Sequence, residues 1–180
     1  GTETTQVRMM DEVVTLDVLA EEPAHAHVTA NFSMRNLGSQ AESMAVRFPL
    51  GAESEFYDIQ EIQNFGVRVN EKPVSFQRVV QETEIYGQKV QMPWATFQVT
   101  FPPGEDVFIK VSYDLTGTAW EYDNYVEFSY TLETGAGWKE SIGSAVIIVR
   151  LPYEASELNV LDLHANPAMS GIQGREASWT

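Results

Sequence analysis

A period of two runs through most of the chain and leaves few folds open to it. In "PAHAHVTANFSMRN" the even positions, Ala24, Ala26, Val28, Ala30, Phe32 and Met34, are apolar, while His25, His27, Thr29, Asn31, Ser33 and Arg35 are polar. Successive side chains of a strand point to opposite faces, so this alternation predicts a strand with one face in a core and one in water. "SMAVRFPL" resumes the pattern with Met44, Val46, Phe48 and Leu50 inward. Between the two, "RNLGSQAES" carries turn chemistry at Asn36 and Gly38, and the whole predicts a hairpin. Upstream, "EVVTLDVLA" places Val14, Leu16 and Val18 on one face of a first strand.

Further along, "GVRVNEKPVSFQRVV" reads as strand, two-residue turn at Asn70 and Glu71, then strand. Asn tolerates the left-handed conformation of tight hairpins, and Pro73 marks a strand start or an edge. "ATFQVTF" and "DVFIKVSYDL" flank "PPGE", which predicts two long strands around a sharp reversal. Phe97, Val99 and Phe101 would then face Val107, Ile109, Val111, Tyr113 and Leu115. "YVEFSYTL" predicts a strand with Val126, Phe128, Tyr130 and Leu132 inward. "VQETEIYGQKVQMPW" reads as a long loop or an irregular hairpin. Only "SEFYDIQEIQNF" has apolar residues near helical spacing, enough for a turn or two of helix.

This count, about nine to eleven strands with closely spaced turn signals, predicts an all-β antiparallel β-sandwich, immunoglobulin-like or jelly-roll-like. No period of 20–50 residues repeats, so solenoids and propellers fall away. Residues 1–180 are expected to form one domain, with 154–180 a peripheral tail or the start of a further strand. Gly1 in place of Met is expected of a processed or trimmed chain.

Charge narrows the partners. Eleven basic against 26 acidic residues give a formal charge of −15, which repels nucleic acid and anionic membrane surfaces. The acids are scattered, as on a solvated surface. The absence of cysteine excludes disulfides, thiolate metal sites and a cysteine nucleophile. No apolar run reaches the ~20 residues of a membrane-spanning helix.

Candidate chemistry is sparse. His25 and His27 share one strand face, close enough to share a metal, but a zinc site needs further ligands and His164 lies in an unrelated segment. A solvated strand face explains the pair. Asp114, Glu121, Asp123 and Glu127 are weak candidates for calcium through oxygen ligands, without the fixed spacing of a calcium hand. Carboxylate pairs that hydrolyse glycosides meet in space and not in sequence, and 26 acids give no basis for choosing one. Trp94, Trp120 and Trp138, with Tyr122 and Tyr125, fall at or near loops, where they would either stack on a sugar or peptide or cap the ends of the sheets.

"ETGAGWKESIGSAVIIVRLPY" looks like a phosphate loop but lacks its spacing and precedes a strand instead of a helix. Gly135, Gly137 and Gly143 are instead expected to allow positive dihedrals around a buried or half-buried Trp138. The run from Ala145 to Leu151 is apolar at successive positions, as in a strand covered on both sides.

"VRMMDEVVTL", "VTANFSMRNLGSQAESMAVRFPL", "FPPGEDVFIKVSYDL" and "YTLETGAGWKESIGSAVIIVRLP" together resemble a group of uncharacterised exported bacterial β-proteins, the domain of unknown function four-four-two-four. Gly137, Trp138, Lys139, Ile142 and Gly143 carry the likeness, which extends to about Pro152; Glu140 stands where the group often has glycine. The resemblance implies an extracytoplasmic β-sandwich, its signal peptide removed, with no assigned catalytic residue and no cofactor. The expected role is therefore non-catalytic, structural or in recognising a ligand, protein or glycan. The alternatives are a carbohydrate-binding module using the loop aromatics and an accessory domain of a carboxylate-dependent hydrolase.

Overall fold

The computed structural model describes residues 5–21, 24–53, 58–85, 88–120, 125–130, 137–162 and 168–180. Its strands are β1 (Val7–Val18), β2 (His25–Asn36), β3 (Glu42–Pro49), β4 (Ala52–Glu53), β5 (Asp58–Ile59), β6 (Gln63–Val69), β7 (Lys72–Pro73) and β8 (Gln77–Ile85). Then come β9 (Gln88–Phe101), β10 (Asp106–Thr116), β11 (Thr118–Trp120), β12 (Tyr125–Glu127), β13 (Ser144–Arg150), β14 (Gly171–Gln173) and β15 (Glu176–Trp179). Nine to eleven strands were expected against these fifteen segments; six of them have two or three residues, too few for a period of two to show. No described residue is helical, so the turn of helix expected over "SEFYDIQEIQNF" does not form in its described part. Ile62 and Phe65 instead pack against the core from the β6 end of that stretch.

Eight strands form one open sheet in the order β14-β15-β13-β1-β2-β10-β6-β7. A second sheet has β3-β9-β4-β5 with β8 on β9, and β11 and β12 make a small ribbon. The described residues of "VQETEIYGQKVQMPW" form a regular ladder, β8 pairing β9 from Gln77↔Thr96 to Ile85↔Gln88. The inward faces of the two large sheets share one apolar core. Ala26, Val28, Ala30, Phe32 and Met34 are all buried there, as the alternation requires, together with Val46, Phe48, Phe97, Val99 and Phe101 from the other sheet. Each fully buried large side chain contributes about 1.5–3 kcal/mol.

Two expected pairings are replaced. β2 and β3 do not form a hairpin, and β9 and β10 are not neighbours in a sheet; each turn carries the chain from one sheet to the other. The apolar residues of β9 and β10 face each other across the core, not along a ladder. The third difference is direction: β13 pairs β1 in parallel, from Asp11↔Ser144 to Asp17↔Arg150, so the sheet is mixed. Parallel neighbours need a long connection, and here more than a hundred residues separate them.

Asn36 explains both crossovers. It is fully buried at the end of β2, and its Nδ2 donates to the carbonyls of Gln40 (2.7 Å) and Phe101 (2.9 Å). Its Oδ1 accepts from Gly38 N at 2.8 Å, and its own carbonyl accepts from Gly104 N at 2.8 Å. A hairpin ladder would leave these groups to be satisfied locally; the asparagine satisfies them while the chain changes sheets.

The remaining turns follow their residues. Asn70 and Glu71 both have positive φ, 47° and 64°, as a two-residue hairpin requires, and Pro73 ends the sheet on its edge strand. Val126 was expected inward but is exposed, while Phe128 and Tyr130 pack against the core; Leu132 lies outside the described residues. Residues 171–179 add a hairpin to the sheet through β15, with Ala177 fully buried. No helix among the described residues is long and apolar enough to cross a membrane.

Asn36→Ala is expected to lower unfolding free energy by roughly 2–4 kcal/mol, because three groups lose a partner in a buried place. Urea unfolding of this variant beside the exposed Asn31→Ala, expected within about 0.5 kcal/mol of the parent, tests it.

Candidate functional site

Three regions hold the residues that the sequence singles out. The first is the glycine-tryptophan loop. Lys139 N donates to Val7 O at 2.8 Å and Gly143 N to Met9 O at 3.1 Å, so residues 139–143 run along β1 and feed into β13. β1 has a bulge between Met9 and Asp11. A Cβ at Gly143 would lie 2.2 Å from the Met10 carbonyl oxygen, so the glycine is required by close approach and not by dihedral angle. Gly137 does have positive φ, 124°, and Gly135 lies outside the described residues. The Trp138 ring is half-buried, edge-on to Phe101 with centroids 6.0 Å apart, and packs against the core. Among the described residues of the loop, Trp138 and Gly143 serve packing against the core and β1.

The bulge also turns Glu12 inward. Its side chain is fully buried; Tyr130 Oη donates to Oε1 at 2.7 Å, and Oε2 has no hydrogen-bond partner among the described residues. Burial raises its pKa, and the tyrosine bond opposes the rise without cancelling it. Burial likewise pushes the phenols of Tyr130 and Tyr113 up, with the nearby Glu12 charge adding to both. The sequence offered a signal for Glu12, a carboxylate in phase with Val14 and Leu16.

The second region is the aromatic set. Trp94 is half-buried on β9, out of phase with the inward Ala95 and Phe97, whereas Trp138 packs inside the core's edge at Phe101. Seven residues of strand separate Trp94 from Phe101, about 23 Å. Trp94 and Trp138 therefore do not share a stacking surface. Trp120 pairs through its backbone with Tyr125. Of the acidic set, Glu121 and Asp123, with Tyr122, lie outside the described residues, as does His164. Glu127 accepts from Ser129 Oγ at 3.2 Å, and Asp114 is committed elsewhere. No group of three metal-ligating side chains occurs among the described residues.

The third region is a groove of about 400 Å³ on the outward face of the eight-stranded sheet. Register sets it out in rows across β2, β10 and β6. Asn31, Lys110 and Arg68 form one row, with Pro73 beyond; Thr29, Ser112 and Gly66 form the next. His27 and Asp114 form the third, where the β10–β6 ladder shifts register between Ser112 and Asp114. Gly66 supplies no side chain to the floor, and the Ser112 hydroxyl lies 3.5 Å from where its Cβ would be.

The third row is internally paired. His27 Nδ1 lies 2.8 Å from Asp114 Oδ1, and Asn64 Nδ2 donates to Asp114 Oδ2 at 2.6 Å from a left-handed backbone, φ 53°. The His27 and then the Asn64 bond hold the Asp114 carboxyl below its usual range. The first row has no acid: neither Arg68 nor Lys110 has an ion-pair partner among the described residues, and Arg68 Nη1 donates to the Glu71 carbonyl at 2.7 Å. Sequence reading recognised the wet face containing His27 but not Arg68, Lys110 or Ser112, because alternation identifies a face and register alone aligns its rows. Gly66, an isolated glycine within a strand pattern, was the available signal.

No protein-family model matches the chain, and no curated protein is similar enough to count as a relative. Among solved structures, a candidate nutrient binding protein of Legionella pneumophila superposes with a TM-score of 0.73 at 22% identity, over 98% of this chain and 63% of that one. The two share a fold, and the chain spans less than two thirds of that protein. An M1 zinc metallopeptidase from Deinococcus radiodurans superposes with a TM-score of 0.42 at 12% identity, over 96% of this chain and 38% of that one, too slight a likeness to bear on chemistry.

Two predictions follow from the β1 geometry. Gly143→Ala should cost at least about 2 kcal/mol, as a backbone collision cannot be relieved by a rotamer, while Glu140→Gly should leave stability unchanged or raise it by up to about 1 kcal/mol. Glu140 has φ 61°, and its exposed ion pair with Arg8 is worth little. Urea unfolding separates the two. For Glu12 the folded pKa is raised, so its contribution is complete below the ordinary glutamate range and is lost as pH rises through the raised value. The parent should lose about 1.4 kcal/mol per pH unit across that interval relative to Glu12→Gln. Parallel unfolding slopes for the two proteins would exclude Glu12 as the source.

Proposed function

We propose that the protein is a non-catalytic β-sandwich that recognises a small ligand outside the cytoplasm, and that it belongs with the domain of unknown function four-four-two-four. The observation that carries the reading is the groove over β2, β10 and β6: a concave, polar, side-chain-poor floor built on paired central strands. Its volume of about 400 Å³ suits a compact molecule. Ladder hydrogen bonds fix the strands beneath it, so its side chains are held without loop ordering on binding. The fold shared with a candidate nutrient binding protein agrees with recognition of a solute. The Gly137, Trp138, Lys139 and Gly143 loop, which supports β1 and β13, is the part that carries the family resemblance.

The test is a nuclear magnetic resonance screen of the labelled chain against sugars, amino acids, organic acids and phosphates. A binder should move amides of residues 27–31, 66–68 and 110–114 in a saturable way. Shifts that map to other surfaces, or no saturable shift with any compound, would refute recognition at this groove.

A further inference from the structure

The rows of the groove specify more than a polar cavity. Lys110 and Arg68 are directly opposite in the β10–β6 ladder, on the same outward face. Like charges directly across a ladder are destabilising, and a chain with 26 acidic residues has ample carboxylate with which to neutralise them. Several other sheet cations are neutralised in this way: Arg35 pairs Asp106, Arg150 pairs Asp17 and Glu176, and Arg78 pairs Glu61. At Lys110 and Arg68 the neighbours in the ladders are Asn31 and Pro73, and the next row offers only the hydroxyls of Thr29 and Ser112. The acids beside the groove are Glu71, whose backbone carbonyl accepts from Arg68 but whose carboxylate makes no ion pair with it, and Asp114, held by His27 and Asn64 two residues along β10 from Ser112.

We infer that the groove binds a ligand through an oxyanion group, a carboxylate or a phosphate, received by Arg68 and Lys110 with Thr29 and Ser112 hydroxyls donating from the floor. This rests on the ligand-recognition reading above and names its ligand class. Arg68 is tethered through Nη1 to the Glu71 carbonyl, which orients the guanidinium and leaves its other N–H groups to donate. Lys110 adds a mobile point charge, and the two together match the geometry of a planar or tetrahedral oxyanion. Gly66, in the next row, keeps the floor beside them open, where any side chain would stand over Ser112. The net charge of −15 opposes anion binding overall, so the two unpaired cations are the local feature that offsets it.

The test is calorimetric titration of the full chain at low salt with three probes: inorganic phosphate, succinate and the neutral sugar glucose. Saturable binding of phosphate, of succinate or of both is expected, and which of them binds distinguishes a phosphate from a carboxylate ligand. Lys110→Gln and Arg68→Gln should each weaken that binding about tenfold or more, the loss of one charge-assisted contact. Arg78→Gln, on the other sheet, should leave it unchanged, and added salt should weaken binding in the parent. Near-parental thermal unfolding of the variants, both at exposed positions, confirms that they fold. Absence of saturable anion binding, or anion binding that Lys110→Gln and Arg68→Gln leave intact, overturns the inference. Glucose binding mapped to residues 27–31 and 110–114 without anion binding overturns the ligand class while sparing recognition at the groove.

Discussion

The Asn36 side chain, buried between two sheets, donates to the carbonyls of Gln40 and Phe101 and accepts from Gly38 N. Five strand ends meet around it: β2 ends on it, β9 ends at Phe101, β3 and β10 begin just beyond Gln40 and Gly104, and β1 begins beside it. Gln6 completes the knot, its carbonyl accepting from Leu37 N at 3.0 Å and its amide donating to Glu42 at 2.8 Å. A backbone leaving a sheet exposes groups that the ladder no longer satisfies, and a buried amide with two donors and an acceptor can satisfy several at once. The face-to-face arrangement of the sheets depends on this, because both short connections that carry the chain between their best-patterned strands turn at this point.

The other constraint is β1, held antiparallel by β2 on one side and parallel by β13 on the other. Its bulge changes the inward phase from Val7 and Met9 to Glu12, Val14 and Leu16. The bulged carbonyl of Met10 projects toward β13, and only a glycine at 143 lets the incoming chain pass it. The residues that look most like a functional loop thus solve a packing problem at a sheet irregularity, with Trp138 sealing the core edge against Phe101. Glu12 is the cost of that phase change, a buried carboxyl whose one hydrogen-bond partner among the described residues is a tyrosine.

On the opposite face of the same sheet the physics is inverted. Inward residues are apolar and packed; outward ones across β2, β10 and β6 are, apart from the exposed Phe108 and from Gly66, hydroxyls, amides, an imidazole and charges arranged in register. Asp114 and His27 are bonded to each other, while Arg68 and Lys110 have no ion-pair partner among the described residues. The contrast between a paired row and an unpaired one, four residues or about 13 Å apart along paired strands, makes this part of the surface distinct from the solvated faces around it.

Alternation in "HVTANFSM" and "VFIKVSYDL" by itself determined that these segments are strands and which side chains enter the core, because strand geometry repeats every two residues and any two-residue pattern records it. The Asn70–Glu71 turn and the edge position of Pro73 were legible for the same local reason. Partners were not. That β2 and β3 belong to different sheets, that β13 runs parallel to β1, that Gly143 answers a bulge at Met10 and that Lys110 stands beside Arg68 are decisions of tertiary structure. Each joins residues distant in the chain, and their contact energy is realised only after the chain has closed the loops between them. A sequence pattern fixes the face a side chain occupies; only the register of folded strands decides which side chains share it.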